Sequence, residues 1–240
     1  MEQVASRVAD NQLLTWLLFG AITLAAAALL LLAPAEATIG EGIRIVYIHV
    51  ALIWTGMLVL IVAGLLGLVV LLTGRALLTE WMQVVAWVGL AFFAAGVVAS
   101  LAAEIVNWGG IAWREPRTAA NLNLLALTII VQVVNTWLPD SWGTRRRLQG
   151  ALNAFLAAAV IWTTMTTEVQ LHPANAVGDA TSQAIQLTFY GLSLLSLSAA
   201  IWSILYLRGR QTAHQSRRHA SDRPGSVGSD RSGRSSKAGS

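Results

Sequence analysis

Residues 43–73 read IRIVYIHVALIWTGMLVLIVAGLLGLVVLLT, and the only Asp, Glu, Lys, Arg or His side chains among them are Arg44 and His49. An α-helix rises 1.5 Å per residue, so about twenty apolar residues cross the roughly 30 Å hydrocarbon core of a bilayer. This stretch is therefore long enough to cross with tilt, or to begin outside the hydrocarbon. Five more apolar runs, 13–32, 81–106, 119–138, 150–167 and 183–207, share its character. The expected fold is all-α: a polytopic membrane protein of six transmembrane helices in residues 1–207, followed by a basic tail, 208–240, rich in Ser, Gly and Arg and expected to be disordered.

Composition agrees. Of 240 residues, 55% are hydrophobic and 12% charged, and the mean hydropathy of +0.61 lies outside the range of soluble domains. The tail carries eight Lys or Arg against Asp222 and Asp230, a net of +6 within a total of +4, which leaves the rest of the chain at −2. No basic surface for nucleic acid follows from that distribution. The chain has no cysteine, which excludes disulfides, thiolate metal sites and covalent CxxCH haem attachment within it. The first run resembles a signal peptide in having the A-x-A site Ala35-Glu36-Ala37. It is longer than a signal core, however, and Glu2 and Asp10 precede it, so it is read as a span.

Six spans put both termini on one side. If that side is cytoplasmic it holds thirteen basic residues, namely Arg7, Arg75, Arg145, Arg146, Arg147 and the eight of the tail. The other side holds Arg44, Arg114 and Arg117. The positive-inside rule then predicts cytoplasmic termini, with His49, the 107–118 connection and the 168–182 loop on the outer side.

His49 stands about 9 Å below the start of its helix, within the outer leaflet. Ionisable side chains at such depth mark ion paths, proton relays or ligand sites; the alternative is an imidazole hydrogen-bonded to a neighbouring helix. Only His172 joins it outside the tail. Taken alone, His172 reads as an exposed loop residue, but topology brings the two histidines to one surface. Two neutral imidazoles there are the donor set of a bis-histidine haem b site. Arg44, Arg114 and Arg117 lie where propionates would emerge, and a guanidinium pairs well with a carboxylate, although juxtamembrane arginines also simply solvate helix ends. Trp108 and Trp113, with Trp54 nearby, suit either a porphyrin edge or the interfacial aromatic belt. On the His49 face, Ile53, Gly56, Leu60, Ala63 and Gly67 would admit a close helix, or a flat ligand near Gly56.

Arg44-Ile45-Val46-Tyr47-Ile48-His49-Val50, followed by Trp54, resembles the start of the second span in the cytochrome c maturation protein C (CcmC-type) family of cytochrome c assembly proteins. There an R-I-x-Y-I-H-V-P-x-x-W run carries a haem-ligand histidine. Trp108-Gly109-Gly110 through Glu115-Pro116-Arg117-Thr118 is similar to that superfamily's tryptophan-rich (WWD-type) outer loop, and His172-Pro173 stands at its second outer histidine. The chain departs at Ala51, which replaces a proline, at Ile111, Ala112 and Arg114, which replace tryptophans, and at Glu115, which replaces an aspartate. The resemblance implies haem transport and delivery to a periplasmic haem chaperone, with ABC-exporter subunits as partners beside membrane lipid. With no GxxxxGK[ST] in the chain, any ATP coupling belongs to a partner. The reading is of a carrier and assigns no catalytic residue. A b-type electron-transfer subunit and a non-haem permease or structural subunit of a membrane complex are the alternatives.

Overall fold

A computed structural model describes residues 2–139, 144–168 and 182–221, with side chains through 214 in the last helix. Among the described residues there are seven helices: α1 (Glu2–Asp10), α2 (Gln12–Leu32), α3 (Ile43–Thr73), α4 (Ala76–Trp108), α5 (Pro116–Trp137), α6 (Arg145–Thr166) and α7 (Gln183–Ser221). Six of them, α2 to α7, are long and apolar enough to cross a membrane, so the chain is a multi-pass membrane protein. Lipid is the solvent of their outward faces.

Local chemistry sets the helix ends. Asn11 caps α2 by accepting the Leu14 N–H at 3.0 Å. Gly74, at φ 64°, ends α3 and donates to the Val70 carbonyl; a left-handed residue there strains anything but glycine. Only Arg75 then separates it from α4. Gly109, at φ 75°, ends α4 in the same way, and Pro116 opens α5 where its missing N–H costs nothing.

Helix α3 is the centre of the bundle and packs on α4, α6 and α7. Its glycines make this possible. A Cβ on Gly56 would strike the backbone of Phe93, and one on Gly67 the carbonyl of Gly150. The space at Gly56 is therefore filled by α4, and the flat ligand considered there is excluded by helix packing. Four pairs across α3 and α4, Gly42 with Asn107, Ile53 with Gly96, Gly56 with Phe93 and Leu60 with Gly89, fix one antiparallel register. In that register His49 is level with Ser100, and Ile45 with Glu104. Phe93, Leu60, Leu124, Leu156 and Val160 fill the core shared by α3, α4, α5 and α6. Helix α2 is peripheral: it buries only Thr15 and rests on α7 and α1.

The α2–α3 and α4–α5 connections put the start of α3, the end of α4 and the start of α5 at one end of the bundle, here the histidine end. The opposite, tail end holds α1, the turn at Gly74 and the end of α7. Two boundaries differ from expectation there. Arg145, Arg146 and Arg147, read as loop, form the first turn of α6. The break read after Leu207 is absent, because α7 continues to Ser221. Arg208 explains why. It is 2% exposed, pairs with Glu2 at 3.0 Å and Glu80 at 2.6 Å, and lies 5.7 Å over the Trp81 ring. The Trp81 indole N–H also donates to Glu2 at 2.8 Å, so one cation ties α1, α4 and α7 together. Residues 222–240 lie outside the described residues.

Candidate functional site

His49 is 7% exposed, on the face of α3 turned into the bundle. Its Nδ1 lies 3.3 Å from the Ile45 carbonyl, one turn back. A carbonyl only accepts, so as a hydrogen bond this contact has the proton on Nδ1 and the lone pair on Nε2, one of the two tautomers through which a neutral imidazole binds a metal. A backbone carbonyl is also a common partner for the far nitrogen of a ligating imidazole.

The 109–115 loop is fastened by a residue that the sequence reading passed over. Glu104, 1% exposed on the last turns of α4, accepts the Ala112 N–H at 2.8 Å with Oε2 and the Thr118 hydroxyl at 2.6 Å with Oε1. One carboxyl group thus spans the end of α4, the loop and the first turn of α5. Bonds from Trp113 N–H to the Ile111 carbonyl and from Glu115 N–H to the Ala112 carbonyl tighten the loop further. As a result Trp113, 66% exposed, and Arg114 face outward, while Glu115 turns in and is 1% exposed. Glu104 had a signal, since it is the one acidic residue inside the apolar run 81–106.

The histidine end brings together His49, Trp108, Trp113, Arg44, Arg114 and Arg117, and these differ in what they can offer. Trp108 is 45% exposed beside the Gly109 cap. Arg44 is already engaged: its Nη2 is 2.8 Å from Glu41 and 3.5 Å from the Leu31 carbonyl, so an incoming carboxylate would compete with the 33–42 loop. Among the described residues Arg114 and Arg117 form no ion pair, and they are the arginines better placed to receive one. Trp54 turns about 140° round α3 from His49 and meets Phe189 edge-on at 6.4 Å, on the side facing lipid. In the 33–42 loop the Glu36 carboxyl accepts the N–H groups of Ile39 and Thr38. Those bonds hold its pKa below the usual value.

His172 and the rest of residues 169–181 lie outside the described residues. Among the described residues no three His, Asp or Glu side chains cluster as a metal site. The fit to haem therefore rests on one buried imidazole, two exposed tryptophans and two guanidinium groups that form no ion pair among the described residues, all at the same end. A cavity of about 310 Å³ opens between α5 and α6, lined by Asn123, Leu127, Trp162, Thr163, Thr166 and Thr167 among others; His49 is not in its wall.

No known family model and no curated protein matches this chain.

Proposed function

We propose that this chain binds haem b at the outer face of a bacterial-type plasma membrane, through His49 and His172, and hands it on for cytochrome c maturation. The observation that carries the reading is His49: an intramembrane imidazole, buried, with Nδ1 engaged by a backbone carbonyl. Its neighbours at the same end, Trp108, Trp113, Arg114 and Arg117, and the resemblance of the 44–54 and 108–118 segments to cytochrome c assembly proteins support it.

On this reading haem is cargo, and low-spin bis-imidazole ligation is the chemistry it would bring. The protein's own part is physical. His49 presents one nitrogen from a rigid helix, the Glu104 tether holds Trp113 and Arg114 outward, and Arg114 and Arg117 offer forked donors to propionates. Trp108 and Trp113 would cover the ring edge and yield it to a chaperone. A partner with an ATP-binding cassette would supply any energy. Cytoplasmic termini follow from the arginine distribution.

The test is the absorbance spectrum of the full chain purified in detergent. The wild type is expected to be coloured with a low-spin spectrum. His49→Ala and His172→Ala should each lower haem occupancy or shift it to high spin, and the double variant should bind none. A colourless wild type, or a double variant with an unchanged spectrum, would overturn the proposal. Transfer to an acceptor protein, slowed by Trp113→Ala without loss of the spectrum, would separate delivery from electron transfer.

A further inference from the structure

At the tail end, away from His49, a cavity of about 270 Å³ lies between α4, α5 and α6, lined by Gln83, Trp87, Gln132, Asn135, Thr136 and Arg145. Its back wall is an amide network. Gln132 donates to Asn153 Oδ1 at 3.2 Å, Asn153 to the Gln149 carbonyl at 2.9 Å, and Gln149 to the backbone carbonyl of Asn135 at 2.9 Å. Asn135 is therefore held in place by its main chain. Its side chain is the exception: it is 3% exposed, yet among the described residues neither Nδ2 nor Oδ1 has a hydrogen-bond partner. Buried amides are almost always paired, so a donor and an acceptor left open on one side chain in a cavity wall call for a ligand that offers both.

The remaining wall describes that ligand. Arg145, in the first turn of α6, contributes a guanidinium next to a helix N-terminus whose Thr144 side chain makes no capping bond; both favour an anion, and phosphate above all. Trp87, 44% exposed, forms one lip, and Val133 and Trp137, next in sequence to the lining residues Gln132 and Thr136, are exposed as well. Tryptophans so exposed on spanning helices belong at the level of lipid headgroups. The volume equals on the order of nine water molecules at roughly 30 Å³ each, which matches the ten or so heavy atoms of a phosphoglycerol group.

We propose that this cavity is a binding site for the headgroup of an anionic, hydroxyl-bearing phospholipid of the phosphatidylglycerol class. Arg145 and the start of α6 would take the phosphate. Asn135 would both donate to and accept from a headgroup hydroxyl. Trp87 would cover the glycerol, with the acyl chains running out along α5. The site is independent of the haem reading.

Native mass spectrometry of the full chain, released from detergent with added phosphatidylglycerol or phosphatidylcholine, tests it. The wild type is expected to retain phosphatidylglycerol in preference, and Asn135→Leu, which keeps the branched four-atom outline and removes the open amide, to lose about tenfold of that preference, the equivalent of one hydrogen bond. Arg145→Gln should lose it too. Gln83→Leu, at the half-buried rim, perturbs the fold less and should reduce retention in the same direction. Equal retention of the two lipids by the wild type would overturn the proposal, as would Asn135→Leu and Gln83→Leu both binding like the wild type. Soluble glycerol phosphate displacing the lipid at equal concentration would overturn the lipid assignment in favour of a free phosphate ester.

Discussion

Replacing Glu104 by alanine should loosen the 109–115 loop while the bundle stays folded. The substitution removes the acceptor of two hydrogen bonds, one from the buried Thr118 hydroxyl and one from the half-buried Ala112 N–H. A donor left unsatisfied in such surroundings costs about 1–3 kcal/mol. Because the Ala112 amide can still reach water when the loop opens, the total is about 2–4 kcal/mol, the lower part of the combined range. At 1.4 kcal/mol per tenfold, protection of the Ala112 amide against hydrogen exchange should fall by a factor of about 30 to 1,000. Amides in the middle of α3, such as Leu60, should exchange as before. Glu104→Gln is the control, since a carboxamide can accept from Ala112 with its oxygen and donate to the Thr118 hydroxyl with its nitrogen. It should keep most of the protection. Unchanged exchange at Ala112 in Glu104→Ala would refute the tether, and equal loss in both variants would show that charge matters more than hydrogen bonding.

Gly56→Ala should lower the apparent melting temperature in detergent, because its Cβ would collide with the Phe93 backbone and must push α3 from α4, an overpacking cost of about 1–3 kcal/mol. Gly20→Ala, with nothing within 4 Å of the added carbon on the exposed α2, should not lower it. Acid should undock α1. Burial alone would raise the Glu2 pKa, but the bonds from Arg208 and Trp81 more than offset it and leave it below the ordinary 4.5. A depressed carboxyl contributes fully above the unfolded value, and its contribution is lost as pH falls below 4.5 through the folded one. Because the chain has no native cysteine, spin labels placed at the exposed Gln3 and Gln211 should separate over that window, with no such step in Glu2→Gln.

The spans were legible from the sequence because lipid imposes a one-dimensional rule: a helix must satisfy its own backbone and present apolar side chains along a fixed length. The apolar run 43–73 accordingly coincides with α3. The positions of His49 and of the 107–118 connection at one end followed from counting spans. Pairwise contacts between distant residues follow no such rule. Nothing near Glu104 in sequence announces that it holds Ala112 and Thr118. Arg208 looked like the first residue of a solvated tail because one basic side chain beside an apolar run normally stays in water. Only the approach of Glu2, Glu80 and Trp81 from two other helices makes its burial affordable and carries α7 onward. The same holds for the amides of Gln132, Asn135, Gln149 and Asn153, scattered over two spans. Sequence determined how many helices cross and which residues share an end; the tertiary structure alone decided which polar groups are paired, because pairing depends on helix register and rotation, set by glycine contacts such as Gly56 with Phe93 and Gly67 with Gly150.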